Sequence, residues 1–268
     1  MPIRIESASN QTVKLAASLY EKKGRDKSGL FPLEGERFVG ELLTQKHSFR
    51  VSFFLLSDSF AAKHGGGVDA YEDLADTYIV PDALFRRVSE EEAPQGVLAV
   101  CEQKRHAPED FLANDNPLLL ILEEMQDPGN LGTALRLADA AGATGVLLSP
   151  GCADAYNPKA LRAAAGSILR VPFAANVPVG EAVPLLRAHG VSVYAAMPDA
   201  EALPYAFDLT KPAAFLVGNE ARGLSPEASC LADAQVALPM PGGAESLNAA
   251  MACGILMYEA VRQRLFHE

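Results

Sequence analysis

Phe215-Leu216-Val217-Gly218-Asn219-Glu220, then Leu238-Pro239-Met240-Pro241-Gly242-Gly243, then Ser246-Leu247-Asn248 form the most telling part of this chain. The first segment is an apolar strand that stops at Gly218. The second is a short strand over Val236 to Leu238 that runs into Pro-Met-Pro-Gly-Gly, and the third lies at the start of a long apolar helix reaching about Arg264. Strands that end together in glycine-rich turns at one edge of a sheet are where an α/β protein holds a ligand, because glycine lets backbone approach it closely. Spacing alone does not name the ligand.

Upstream of these segments, Leu118-Leu119-Leu120-Ile121-Leu122 is a continuous apolar run of the kind found in a central parallel strand. It leads through Glu123 to Gly129 into a helix expected over Asn130 to Ala141, with Leu131, Leu135 and Ala138 toward a core. A strand over Gly145 to Leu148, helices over Pro158 to Ala165 and Gly180 to Ala188, and a strand over Val191 to Ala195 complete the C-terminal α/β unit.

The N-terminal part alternates in the same way. Ser7-Ala8-Ser9-Asn10 is a polar cluster able to cap a helix carrying Val13, Leu15, Ala16 and Leu19, expected to end near Gly24. Lys22, Lys23, Arg25 and Lys27 then read as a basic loop, either a solvated turn or an RNA contact. A helix over Glu36 to Gln45, a strand over Val51 to Leu56, an exposed loop at Gly65-Gly66-Gly67, a strand over Thr77 to Val80, a helix opened by Pro81 and a strand from Gly96 to Cys101 follow. The polar segment Gln103 to Asp110 is the candidate linker. The expected division is 1–105, a connection over 106–116, and 117–268.

The chain has 268 residues, 49% of them hydrophobic, enough for two modest cores. Met1 to Glu6 lacks an apolar core of about seven residues, and no apolar run of about 18 residues occurs, so a soluble, cytoplasmic protein is expected. Cys101, Cys152, Cys230 and Cys253 are scattered with no C-x-x-C pair, and the five histidines are dispersed; neither a metal site nor a disulfide framework is expected. The net charge of −11 weighs against nucleic-acid binding. Its distribution offsets this: residues 1–50 carry nine Lys and Arg against six Asp and Glu, whereas residues 111–268 carry nine against sixteen. A basic N-terminal end on an acidic body permits RNA contact there.

Several residues could carry chemistry, each with a plain structural alternative. Arg136, six positions after Asn130, is either a surface arginine or a planar fork for phosphate and ribose. Glu220 stands at a strand end, and Arg222 two residues on offers an ordinary ion pair. Ser246 and Asn248 either bind a ligand or cap the last helix. Asp127-Pro128-Gly129-Asn130 also reads as a turn with a helix cap. Gly129-Asn130-Leu131-Gly132 is not G-x-G-x-x-G, which disfavours a dinucleotide oxidoreductase.

Taken together, Asp127 to Arg136, then Gly218-Asn219-Glu220-Ala221-Arg222-Gly223-Leu224, then Leu238 to Gly242 with Glu245-Ser246-Leu247-Asn248 resemble the three ordered motifs of the SpoU/TrmH family of RNA ribose methyltransferases, in the SPOUT superfamily. Ser7 to Leu43, with Phe31-Pro32-Leu33-Glu34-Gly35, and Pro94 to Val100 are similar to the small ribosomal-protein-like RNA-binding domain of many members. The resemblance implies an α/β trefoil-knot methyltransferase domain behind that domain, and a homodimer. It implies S-adenosylmethionine held near Gly218, Leu238, Met240 and Leu247, and catalysis by Arg136 with Asn130, Glu220 and Asn248 around it. It implies transfer to a ribose 2′-hydroxyl, of ribosomal RNA first and transfer RNA second, with Lys22, Lys23, Arg25, Lys27 and Arg136 toward the RNA. The family often has serine where Ala164 stands and valine-serine where Ala249-Ala250 stand, so lost hydroxyls there would weaken substrate grip or catalysis. An RNA-binding protein that kept the fold without transfer is the rival reading.

Overall fold

The computed structural model describes residues 2–44, 49–65 and 68–266. Gln45, the expected end of one helix, and Gly66-Gly67 of the glycine loop lie outside them, as do His47 and His267. The chain folds as two compact units: Met1–Lys104 with Tyr156–Leu161, and Arg105–Ala155 with Arg162–Glu268. Residues 156–161 thus group with the first unit. The reason is an aromatic partner from far along the chain: Tyr156 packs its ring 4.4 Å from that of Phe31, and its hydroxyl accepts from Lys104 N–H at 2.9 Å.

In the first unit the elements run β1 (Ile3–Arg4), α1 (Gln11–Ser18), α2 (Lys22–Ser28), β2 (Leu30–Glu34), α3 (Glu36–Thr44), β3 (Val51–Ser57), α4 (Asp58–Lys63), α5 (Asp69–Glu72), β4 (Asp76–Val80), α6 (Asp82–Val88) and β5 (Val97–Glu102). Their sheet has the order β1-β4-β3-β5-β2, with β5 antiparallel to β3 and β2 and the other pairs parallel. Val13, Ala16 and Leu19 close one face over Phe53, Leu55, Leu98 and Val100 together with Leu84, Phe85 and Val88. Asn10 caps α1 as its side chain suggests, accepting from Thr12 N–H at 2.8 Å.

The basic segment departs from expectation. Lys22 to Ser28 is helix α2 rather than a loop, and α1 stops at Ser18 instead of near Gly24. Arg25 is 1% exposed, and its Nη1 donates to the carbonyls of Leu19 (2.7 Å) and Tyr20 (2.9 Å), groups that the end of α1 leaves without helical partners. Arg25 is thus a structural cap and is not presented to RNA. Gly24 permits the crossing, since a Cβ there would lie 1.9 Å from Ser18 O.

The second unit contains β6 (Leu118–Leu122), α7 (Pro128–Ala140), β7 (Gly145–Leu148), β8 (Phe173–Ala175), α9 (Val179–Ala188), β9 (Ser192–Ala196), β10 (Ala213–Val217), α10 (Pro226–Leu231), β11 (Ala234–Val236) and α11 (Ala249–Leu265), while α8 (Pro158–Ala164) begins among the first unit's residues and ends among the second's. All six strands are parallel, in the order β11-β9-β10-β6-β7-β8. β8 escaped the sequence reading because three residues carry too little periodicity. The strand expected over Val236 to Leu238 lies earlier, at Ala234–Val236, where the ladder to β9 runs. Leu119, Ile121, Leu147, Ala214 and Leu216 face α9 and α10, the period-two alternation of a sheet covered on both sides. Helix α11 packs on β10 and α7.

Arg25→Ala should cost about 2–4 kcal/mol, because two buried carbonyls lose their donor. Lys22→Ala and Lys23→Ala should each stay within about 0.5 kcal/mol. Denaturant unfolding of the three variants separates these outcomes.

Candidate functional site

The carboxyl ends of β11, β9 and β10 lie side by side, and the chain leaves each through a turn. A cavity of about 390 Å³ opens there, and Gly218, Leu238, Met240 and Leu247 all line it. Four residues spread over 30 positions of sequence meet because parallel strands bring their exits to one edge. The sequence reading missed a further wall, Met197-Pro198-Asp199 beyond β9. The signal was present: Pro198-Asp199 comes within four residues of the expected strand's end at Ala195 and turns at the same edge.

Gly218 has no room for a side chain. A Cβ would stand 2.3 Å from Gly223 C, 2.4 Å from Gly223 O and 2.4 Å from Leu224 N, all backbone. The turn beyond it is closed by paired bonds, Asn219 N–H to Gly223 O at 3.0 Å and Gly223 N–H to Asn219 O at 2.9 Å. The buried Asn219 side chain accepts from Ala221 and Arg222 N–H at 3.0 and 3.1 Å and donates to Glu124 O at 2.8 Å. Arg222 pairs with Glu124, so the Glu220–Arg222 ion pair weighed from sequence does not form.

Glu220 instead joins two other motifs. Its carboxylate accepts from Asn130 Nδ2 at 3.1 Å and from the backbone N–H of Asp127 and Gln126 at 3.2 and 3.3 Å. Asn130 Oδ1 accepts from Asn248 Nδ2 at 2.9 Å, and Asn248 Oδ1 caps α11 by accepting from Ala250 and Met251 N–H. The capping and site roles of Asn248 therefore coexist. Burial raises the Glu220 pKa, but the hydrogen bonds given to the carboxylate outweigh it, and the net shift is downward. At neutral pH this group is an ionised acceptor.

Helix α7 starts earlier than expected. Asp127 is its N-cap, accepting from Asn130 N–H at 2.8 Å, and Pro128 holds the first helical position. Arg136 sits more than two turns inside, exposed, and six residues from Asn130, so at about 100° per residue it projects from another side of the helix. It makes no hydrogen bond or ion pair among the described residues. Asn130, Glu220 and Asn248 are brought together; Arg136 stands outside their chain of bonds. Ala164 and Ala250, where the family often has serine, are both fully buried. Lys22 is exposed and paired with Asp26 at 3.0 Å, and Lys23 and Lys27 are exposed on α2. Among the described residues no group of three or more His, Cys, Asp or Glu could hold a metal, and no helix is long and apolar enough to cross a membrane.

Close likeness to solved rRNA and SpoU methyltransferases over nearly the whole chain makes this two-unit α/β protein, with its ligand cavity at three adjoining strand ends, an RNA methyltransferase of the SpoU class. Residues 117–258 match the SpoU rRNA methylase family, and the chain belongs to it; residues 10–99 match the MRM3-like substrate-binding domain. The 23S rRNA (guanosine(2553)-2′-O)-methyltransferase RlmP of Bacillus subtilis is 39% identical over 256 residues, covering 95% of this chain and 98% of that protein. The crystal structure of an AdoMet-bound rRNA methyltransferase from Sinorhizobium meliloti matches with a TM-score of 0.87 at 28% identity, over 99% of this chain and 98% of that one. The SpoU methyltransferase AviRb from Streptomyces viridochromogenes, in complex with AdoMet, matches with a TM-score of 0.84 at 30% identity, over 97% of this chain and 100% of that one.

Gly218→Ala should lower stability by at least about 2 kcal/mol and S-adenosylmethionine affinity at least about tenfold, since the added carbon forces open the 219–223 turn. Gly242→Ala, where a Cβ meets nothing within 4 Å, should melt like the wild type. Thermal melts and calorimetric titration check both.

Proposed function

We propose that this protein transfers the methyl group of S-adenosylmethionine to a ribose 2′-hydroxyl of 23S ribosomal RNA. The observation that carries the reading is the meeting, at one sheet edge, of the Gly218–Leu238–Met240–Leu247 cavity with the bonded trio Asn130, Glu220 and Asn248. The cavity fits the cofactor in size, within the range of about 300–1,000 Å³ for small-molecule sites, and in its mixture of apolar side chains and close backbone. The cofactor supplies a methyl carbon already activated on a sulfonium.

What remains for the chain is to hold the hydroxyl in line with that carbon. Glu220 fixes the Asn130 amide, and Asn248 fixes it from the other side, so the trio is a rigid polar wall rather than a set of free bases. Arg136 is an exposed cation with no hydrogen bond or ion pair among the described residues. A guanidinium donates hydrogen bonds and accepts none, so its role is to grip the RNA phosphate and orient the hydroxyl. The exposed lysines 22, 23 and 27 add backbone affinity at the N-terminal end.

The working unit in this reading is a cytoplasmic homodimer with a knotted C-terminal domain. Met251, Ile255 and Tyr258, at helical spacing on α11, form an exposed apolar stripe that a second copy would cover. Ile255→Glu should turn a dimer into a monomer in sedimentation or size-exclusion measurements; a wild type that is already monomeric removes the dimer.

Labelled S-adenosylmethionine incubated with 23S rRNA from a strain lacking this gene should yield one ribose-methylated nucleotide, located by nuclease digestion and mass spectrometry. Arg136→Ala should reduce the rate about 100-fold or more. Arg136→Lys should recover part of it with an unshifted pH profile; a shifted profile would make the arginine the proton acceptor. A base-methylated product would overturn the ribose assignment.

A further inference from the structure

The wall beyond β9 carries a group that the chemistry above does not use. The chain turns there at Met197-Pro198-Asp199-Ala200, closed by Ala200 N–H donating to Met197 O at 3.3 Å, and Pro198 restricts its own φ within the turn. The segment is tied down on both sides. Met197 N–H donates to Val236 O at the end of β11, and Ala237 N–H donates to Ala202 O, each at 2.9 Å. Asp199 is thereby held at a defined place on the cavity wall.

Asp199, Glu220 and Arg222 are the charged residues that line this cavity. Two of them are already engaged: Glu220 accepts from Asn130, Asp127 and Gln126, and Arg222 pairs with Glu124. Asp199 is exposed and makes no hydrogen bond or ion pair among the described residues. An aspartate that serves its own turn accepts a nearby backbone N–H. Asp199 accepts none, so the turn does not account for it. Its carboxylate offers the cavity two oxygens that only accept.

Strand order decides which part of the cofactor meets those oxygens. Asn130 follows β6, Glu220 follows β10 and Asp199 follows β9, and the three strands lie side by side in that order. The sulfonium has to lie toward Asn130 and Glu220, where the acceptor hydroxyl is held, and adenine finds its apolar walls in Leu238, Met240 and Leu247. The ribose that joins the two carries a pair of vicinal hydroxyls. We propose that Asp199 accepts hydrogen bonds from the 2′- and 3′-hydroxyls of the cofactor ribose. Two adjacent O–H donors match two carboxylate oxygens, and an acidic side chain recognises ribose in the same way in dinucleotide-binding α/β folds. The proposal rests on S-adenosylmethionine occupying this cavity, and adds to it a cofactor-binding residue that lies outside the three sequence motifs.

The test is calorimetric titration of the full-length protein with two ligands that keep the ribose: S-adenosylhomocysteine, and 5′-methylthioadenosine, which lacks the amino-acid end. Asp199→Ala should weaken both about tenfold, with a melting temperature near that of the wild type because the side chain is exposed and unbonded. The 2′-deoxy and 3′-deoxy forms of S-adenosylhomocysteine should each bind the wild type about fivefold or more weakly than the parent, while Asp199→Ala should separate them from the parent by less than about twofold. Wild-type affinity in Asp199→Ala would overturn the proposal. So would a loss equal for the deoxy and parent ligands, or a loss with S-adenosylhomocysteine but not with methylthioadenosine, which would set the carboxylate against the cofactor's ammonium. A wild type that binds none of these ligands would overturn the cofactor assignment of the cavity itself, a result distinct from every outcome of the variant.

Discussion

At Gly218 the chain passes so close to the backbone of Gly223 and Leu224 that nothing larger than hydrogen fits on the α-carbon. That closeness lets β10 end in a turn tight enough to be sealed by the Asn219–Gly223 pair. Because the turn is sealed, Glu220 leaves it at a defined angle and reaches the first turn of α7, and through Asn130 it reaches the cap of α11. Three segments far apart in sequence are held by one absent side chain and four side-chain amide and carboxylate groups, those of Asn219, Glu220, Asn130 and Asn248.

Polar groups at this edge divide their labour by how completely they are satisfied. Asn130, Glu220, Asn248 and Asn219 spend their capacity on one another and on backbone, which makes them rigid. Arg136 spends none: it is exposed and makes no hydrogen bond or ion pair among the described residues. In the first unit Arg25 is spent likewise, as a cap on the end of α1. Residue type did not distinguish the two classes; burial and partners did. This also reconciles an acidic chain with RNA, since affinity depends on the few cations left unpaired near a site and not on net charge.

Local signals in the sequence were reliable where one segment carries the whole cause. Leu118 to Leu122 reads as a central strand because five consecutive apolar side chains need burial on both faces, and all are buried. Asn10 reads as a cap because its oxygen reaches Thr12 N–H within the same turn. Lys22 to Ser28 misread as a loop because its helix depends on Arg25 reaching back to α1, a contact that composition does not encode. Tyr156 joins the first unit through Phe31, across 125 positions, and Met197 to Asp199 form a wall of the cavity only because β9 neighbours both β10 and β11.

The class of fold, two α/β units, and the motifs that make the chain a SpoU-type methyltransferase were legible in residue order. Apolar runs, glycine at forced turns and capping residues act over a few positions and leave their mark in order along the chain. Which polar side chains stay free to act, and which are spent on the scaffold, emerged only in three dimensions. Availability depends on distances between segments that neighbour one another only after the strands have paired, and no spacing along the chain records those distances.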